Sequence, residues 1–240
     1  EEMSHLENAL RTIEIEIKAL DAAKKNLGQS FSDLVEMIRS RPPHGRVVVM
    51  GVGFVGAVMA AIVADTQDKK GRPSKFVIGC QRPSPRSFWK IGMLNRGESP
   101  VKAEDPEVDT LIARCVREKK TLTATFNPEC LSLADCVVVD VQCDYSKQDL
   151  GNMRTGEADM EALEATMRTI GEKIPANCLV LIETTVAPGT TEFVAWPILK
   201  KAFAARGLNA TPLLAHSFER VMPGKDYVAS IRDFWRVCSG

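Results

Sequence analysis

Two rhythms of apolar and polar positions alternate along the chain. Short, mostly apolar runs occupy residues 47–50, 76–80, 136–141 (with Asp140 inside it) and 178–182, each followed by a glycine or a polar residue. Runs of this length, rich in Val and Ile, predict strands buried on both faces. Between them lie stretches with helical spacing. Residues 55–65 are small and apolar. Residues 105–119 place Val108, Leu111, Ile112 and Cys115 on one face, and 160–174 do the same with Leu163, Met167 and Ile170. Residues 87–94 and 190–206 read as further helices, and 121–125 and 211–215 as shorter strands. Residues 66–74, with Gly71 and Pro73, and the polar stretch 142–154, with Gly151, read as loops. Strands alternating with helices predict an α/β fold, a doubly wound parallel sheet.

The first 40 residues have a different pattern. Leu6, Leu10, Ile13, Ile17 and Leu20 recur in steps of four and three, and Leu27, Phe31, Leu34 and Ile38 resume the series. This predicts an amphipathic helix interrupted near Gly28 and restarted at Ser30, with Asp33 in its first turn. Such helices pair with a second copy or fold back on their own domain. Arg41-Pro42-Pro43-His44-Gly45 ends them. Residues 1–45 thus form a helical extension and linker, and 46–240 a single α/β domain.

The most specific stretch is Val47-Val48-Val49-Met50-Gly51-Val52-Gly53-Phe54-Val55-Gly56, a strand running into GxGxxG and then a helix. Gly51 permits the tight turn, Gly53 lets the backbone approach a pyrophosphate, and Gly56 allows the helix to pack on the strand. The helix N-terminus then offers unpaired N–H groups to the phosphates. This pattern implies a bound dinucleotide in a Rossmann-like domain. Strand 76–80 is followed by Gln81, where an acidic residue often holds the adenosine ribose. Gln81 can bond a ribose hydroxyl but carries no charge to repel a 2′-phosphate, and Arg82 and Arg86 can accept one. NAD is the expected cofactor and NADP the alternative.

Composition narrows the field. Lys plus Arg and Asp plus Glu number 31 each, and no basic stripe stands out, which argues against nucleic acid. No apolar run approaches the ~20 residues of a membrane span, and the N-terminus lacks a secretory signal pattern, so a cytoplasmic protein is expected. Seven scattered cysteines without a CxxC pair read as reduced thiols. Three histidines argue against a metal site.

Two further stretches carry chemistry. Glu183-Thr184-Thr185-Val186-Ala187-Pro188-Gly189-Thr190-Thr191 crowds four threonines around a Pro-Gly turn after a strand. Helix capping accounts for one or two of these hydroxyls. His216 to Gly224 places Glu219 and Arg220 at another strand end, where Glu219 can hold a water or act as a base, or simply pair with Arg220.

From about Arg46 to Gly240 these segments resemble the N-terminal NAD-binding domain of the UDP-glucose/GDP-mannose dehydrogenase family. GVGFVG resembles its cofactor turn, Ile91 to Pro100 its iN.G..P stretch with Glu104 beyond it, and ETTVAPGTT its STvpPGTT segment. FERVMPG, with Arg236, Val237 and Gly240, is most similar to the branch acting on UDP-N-acetyl-hexosamines, such as the N-acetylmannosamine enzymes. The resemblance implies oxidation of the C6 alcohol of a UDP-sugar to the uronate with two NAD, as in polysaccharide biosynthesis, through a cysteine thiohemiacetal and thioester. It implies that Thr185 positions a water, that Glu219 assists thioester hydrolysis and that Thr184 lies beside the nicotinamide. Gly51, Gly53, Phe54, Val55 and Gly56 would hold the pyrophosphate, with Gln81, Arg86 and Gln142 completing the cofactor site. Gln142-Cys143 stands where the family has Thr-Pro, and Gln81 where it has Asp. No cysteine here lies in the family's nucleophile motif. The resemblance therefore implies that the central helix and the UDP-binding domain lie outside this chain, that this domain alone is inactive, and that the full-length protein is a homo-oligomer such as a dimer.

Overall fold

The computed structural model describes residues 45–85, 87–146, 156–222 and 224–240. The predicted helices before residue 45, Arg86 and the whole stretch 147–155 lie outside these residues. The chain runs β1 (Gly45–Met50), α1 (Phe54–Asp65), β2 (Lys75–Cys80), α2 (Phe88–Arg96), α3 (Glu107–Ala113) and β3 (Leu122–Thr125). Then follow a 3-10 helix (Pro128–Leu133), β4 (Cys136–Val139), β5 (Asp144–Ser146), β6 (Glu157–Asp159), α4 (Glu161–Lys173) and β7 (Leu179–Ile182). The chain continues with α5 (Trp196–Ala205), β8 (Leu213–Ser217), α6 (Tyr227–Asp233) and β9 (Cys238–Ser239).

Seven strands form one sheet in the order β3-β2-β1-β4-β7-β8-β9. All neighbours are parallel except β8 and β9, where His216 faces Ser239. With the hairpin strands β5 and β6 set aside, the first six strands follow the 3-2-1-4-5-6 order of dinucleotide-binding sheets. The order reverses between β1 and β4, so a crevice opens at their carboxyl ends.

The apolar runs are unbroken because helices cover both faces of the sheet. Val47 and Val49 pack with Ala57, Val58, Leu111, Ile112 and Tyr227 on one side. Val48 and Met50 pack with Val139, Leu163, Ile170, Leu199 and Phe203 on the other. Each such side chain removed from water is worth roughly 1.5–3 kcal/mol. Helix α1 is buried along Gly56, Ala57, Ala60, Ala61 and Ala64, small residues that let it lie close to β1 and β2.

The structure departs from the sequence expectation in four places. Helix 105–119 begins at Glu107, after Asp105 and Pro106, and ends in a π-helical turn over Arg114–Glu118. The predicted loop 142–154 contains β5, which pairs antiparallel with β6 (Asp144 opposite Asp159) in register across the stretch. The polar residues of both strands face water, so no apolar alternation marked them. The sheet is not wholly parallel, because β9 returns along β8. Helix α6 carries Tyr227, Val228 and Ile231 into the core over only seven residues, too few for a period to register.

Candidate active site

The strand ends are held level at the crevice. The sheet ladder continues one residue past each strand: Gly51 N–H donates to Cys80 O at 2.8 Å, Gln81 N–H to Thr125 O at 3.1 Å, Asp140 N–H to Met50 O at 2.8 Å and Glu183 N–H to Val139 O at 3.0 Å. Gly51, Gln81, Asp140 and Glu183 therefore stand side by side along one edge. Above them lies a cleft of about 650 Å³ whose wall includes Gly53, Phe54, Gln81, Asp140, Thr185 and Glu219. Gly51, Val55, Gln142 and Thr184 line it as well. This volume falls within the ordinary range for small-molecule sites.

The glycines behave as their spacing demands. Gly51 has φ +98°, and a Cβ there would meet Asp140 O at 2.4 Å. A Cβ on Gly56 would stand 1.9 Å from Gly51 O, so Gly56 is required for the helix to leave the turn. Gly56 is buried and lies behind the cleft wall. Gly53 is different: nothing lies within 4 Å of where its Cβ would be. Open space over a Cβ-less residue at the start of a 12-residue helix that no side chain caps fits a dinucleotide pyrophosphate. Phe54 is 41% exposed and stacks on Tyr227 at 4.9 Å between centroids, and the Tyr227 hydroxyl donates to Phe54 O. That contact, 173 residues apart in sequence, pins the first turn of α1.

Gln81 is partly committed. Its Oε1 accepts from Val52 N–H at 3.0 Å, inside the glycine turn itself, which leaves the amide NH₂ as the free polar end. Arg82 and Lys90 line the same end of the cleft. Arg86 lies outside the described residues. Gln142 reaches away from the turn, donating through Nε2 to Asp144 Oδ1 at 2.7 Å.

The two remaining motifs meet the glycine turn in space. Thr184 donates its hydroxyl to Val141 O at 2.7 Å and its N–H to Val139 O at 3.1 Å, bracing β7 against β4. Its side chain can therefore offer only lone pairs to a ligand. Thr185 is exposed at the cleft wall. Thr190 is buried, and no threonine side chain caps the following helix. Glu219 is half-buried, its Oε1 has no partner, and burial pushes its carboxyl above the usual range.

Sequence reading missed Asp140. It directly follows β4, and its Oδ2 is buried without a partner. Burial first, then the negative charge of Glu219, push it up to about 7, against a smaller pull from Arg236. An acid ending the run Val137-Val138-Val139 was a readable signal, since an apolar residue would continue the strand at no desolvation cost. Glu183, 1% exposed, pairs with Arg236. Of the cysteines only Cys80 lines the cleft, and its contact with Cys130 and its burial drive its thiol far above the ordinary range. Among the described residues no group of His, Cys, Asp and Glu could hold a metal ion, and no helix is long and apolar enough to cross a membrane.

Comparison with known proteins accounts for this arrangement. Residues 45–234 match the model of the UDP-glucose/GDP-mannose dehydrogenase family, NAD binding domain. The UDP-N-acetyl-D-mannosamine dehydrogenase of Pyrococcus horikoshii is 28% identical over 180 residues, which is 75% of this chain and 37% of that protein. The GDP-mannose 6-dehydrogenase of Pseudomonas putida is 26% identical over 175 residues, 70% of this chain and 35% of its own length. The crystal structure of the NDP-N-acetyl-D-galactosaminuronic acid dehydrogenase from Methanosarcina mazei Go1 superposes with a TM-score of 0.71 at 35% identity, covering 86% of this chain and 41% of that one. The chain thus spans well under half the length of these relatives. Its glycine turn, strand order and matching segments make it a member of the UDP-glucose/GDP-mannose dehydrogenase family, whose NAD-binding domain it carries over residues 45–234.

Proposed function

We propose that this domain serves a nucleotide-sugar 6-dehydrogenase that oxidises the C6 alcohol of a UDP-sugar, a UDP-N-acetyl-hexosamine or UDP-glucose, to the uronate with two NAD. One observation carries this reading. The segments around Thr185 and Glu219, more than 30 residues apart, open onto the same cleft as Gly53 and Phe54, at the point where the strand order reverses. NAD would supply the hydride acceptor. The turn 51–56 and the first N–H groups of α1 would bind and orient it, with Gln81 steadying the turn. Thr185, exposed and without a competing partner in the fold, would hold a water at the mouth of the cleft. Glu219, its carboxyl raised above the usual range by burial, is placed to take up and return a proton, as thioester hydrolysis requires. Cys80 is too poor a thiolate to be the thioester nucleophile, so that thiol would come from another part of the protein.

Calorimetric titration with NAD tests the cofactor site, and NADH formation dependent on UDP-N-acetylmannosamine or UDP-glucose, in the complete gene product, tests the reaction. A dinucleotide-binding module without dehydrogenase chemistry is the second reading, favoured by the neutral Gln81 in place of an acid. It predicts NAD binding with no sugar-dependent NADH. Failure to bind any dinucleotide would remove both readings.

A further inference from the structure

The floor of the cleft carries more acid than the fold neutralises. Asp140 and Glu183 stand on adjacent strand ends and point to the same face of the sheet, since Val139 and Ile182 before them pair in register and point to the other. Glu219 approaches from the loop after β8. Arg236 is the one cation among the described residues whose charge acts on Asp140, and it is paired with Glu183. Tyr227, from α6, is a phenol whose ionisation is pushed up by burial first and then by Glu219 and Asp140, and its hydroxyl donates to Phe54 O. The glycine turn and the first turn of α1 bring no titratable group. Cys238, the remaining titratable group near Arg236, is a thiol. His216 points to the opposite face by strand alternation. Three carboxyl groups thus face one guanidinium, and three buried carboxyl oxygens, Asp140 Oδ2, Glu183 Oε2 and Glu219 Oε1, have no donor among the described residues.

Asp140 is also wedged beneath the turn that would hold the pyrophosphate. Its carbonyl lies 2.4 Å from where a Cβ on Gly51 would be, and its own Cβ 3.1 Å from where one on Gly56 would be. A negative charge there would oppose the two charges of a pyrophosphate in a partly dry site, where such repulsion is weakly screened.

We propose that the cleft accepts a dinucleotide in the state in which Asp140, wedged beneath the glycine turn with no donor for its buried Oδ2, holds a proton. The inference rests on the dinucleotide reading of the cleft and adds a residue to it. Binding then takes up a proton, and affinity falls as pH rises. With Asp140 titrating at about 7 in the free protein, affinity for NAD drops by up to about 30-fold between about pH 6 and about pH 8.5. NAD itself gains and loses no proton in that range, so the slope belongs to the protein.

The test is calorimetric titration of the protein with NAD at both pH values, in buffers of different ionisation enthalpy. Uptake of about half a proton per NAD at pH 7 is expected. Asp140→Asn should bind NAD at pH 8.5 about as well as the unaltered protein does at pH 6, with the slope gone. NAD binding with no proton uptake and no pH slope in the unaltered protein overturns the inference while leaving the cofactor reading intact. A slope that survives in a folded Asp140→Asn also overturns it. Absence of NAD binding at either pH overturns both.

Discussion

The two walls of the cleft are built on opposite plans. The turn 51–56 is contiguous in sequence, carries no charge, and works through backbone: a positive φ at Gly51, a close approach at Gly56 and open space at Gly53. The facing wall sets Asp140 and Glu219 at the cleft, with the Glu183–Arg236 pair near them, all from four separated segments, and works through side-chain charge. At Gly51 and Gly56 the first wall tolerates no added atom, yet it has no electrostatic tension. The second has room in its chemistry but holds buried carboxyl oxygens without donors. Where a site must fit a fixed group, backbone sterics suffice. Where a proton must move, strained electrostatics are needed, and these require groups brought from afar.

The largest effect separates the glycines. Gly56→Ala puts a Cβ 1.9 Å from the Gly51 carbonyl, against backbone that cannot yield cheaply. We expect a loss of about 3 kcal/mol or more in denaturant unfolding, with NAD binding lost as well. Gly53→Ala meets nothing in the fold, so its unfolding midpoint should match the unaltered protein. Its NAD affinity should fall by about tenfold or more, because the methyl enters the space the pyrophosphate needs. Equal destabilisation by the two would break the distinction between packing and cradle glycines.

The acid wall predicts a pH dependence of stability. The folded-state value of Asp140, about 7, lies above its ordinary 3.8. Between these values the native state holds a proton that the unfolded chain has released, so stability falls as pH rises from about 4 to about 7 and then levels off. This single group contributes a fall on the order of 4 kcal/mol. Unfolding midpoints from about pH 5 to about pH 8 should show it, and Asp140→Asn should flatten the profile and be more stable than the unaltered protein at pH 8.

Gln81→Glu sharpens the comparison at the adenosine end. It keeps an acceptor for Val52 N–H and adds a charge facing a 2′-phosphate, beside Arg82 and Lys90. The ratio of NAD to NADP affinity should rise by about tenfold, equivalent to about 1.4 kcal/mol. An unchanged ratio would mean that Gln81 serves the turn alone. The smallest effect is Tyr227→Phe, which keeps the stack on Phe54 and removes one hydroxyl donor from its carbonyl. About 1 kcal/mol of stability should be lost, read by thermal unfolding.

Much of the turn wall was legible before any coordinates. The valine-rich runs predicted buried parallel strands, and β1, β2 and β4 lie where they fell, because both-face burial leaves its mark on each residue. The threonine and FERVMPG segments were recognisable as chemistry, and Thr184, Thr185 and Glu219 from them do line the cleft. Less legible were β5, β6 and α6. The first two are polar hairpin strands, and α6 is a seven-residue helix whose apolar face is too short to show a period.

By itself, then, the sequence determined the strand-turn-helix corner, the alternation that builds the sheet, and the dinucleotide chemistry at its edge. These depend on backbone geometry and on burial periodicity, which act locally. Only the tertiary structure decided that Gln81 spends its carbonyl on Val52, that Tyr227 braces Phe54, and that Asp140 shares its burial with Glu183 and Glu219. The physical reason is that desolvation and charge coupling depend on what surrounds a group. Those neighbours come from strand ends, loops and a helix up to 173 residues away, which no local pattern records.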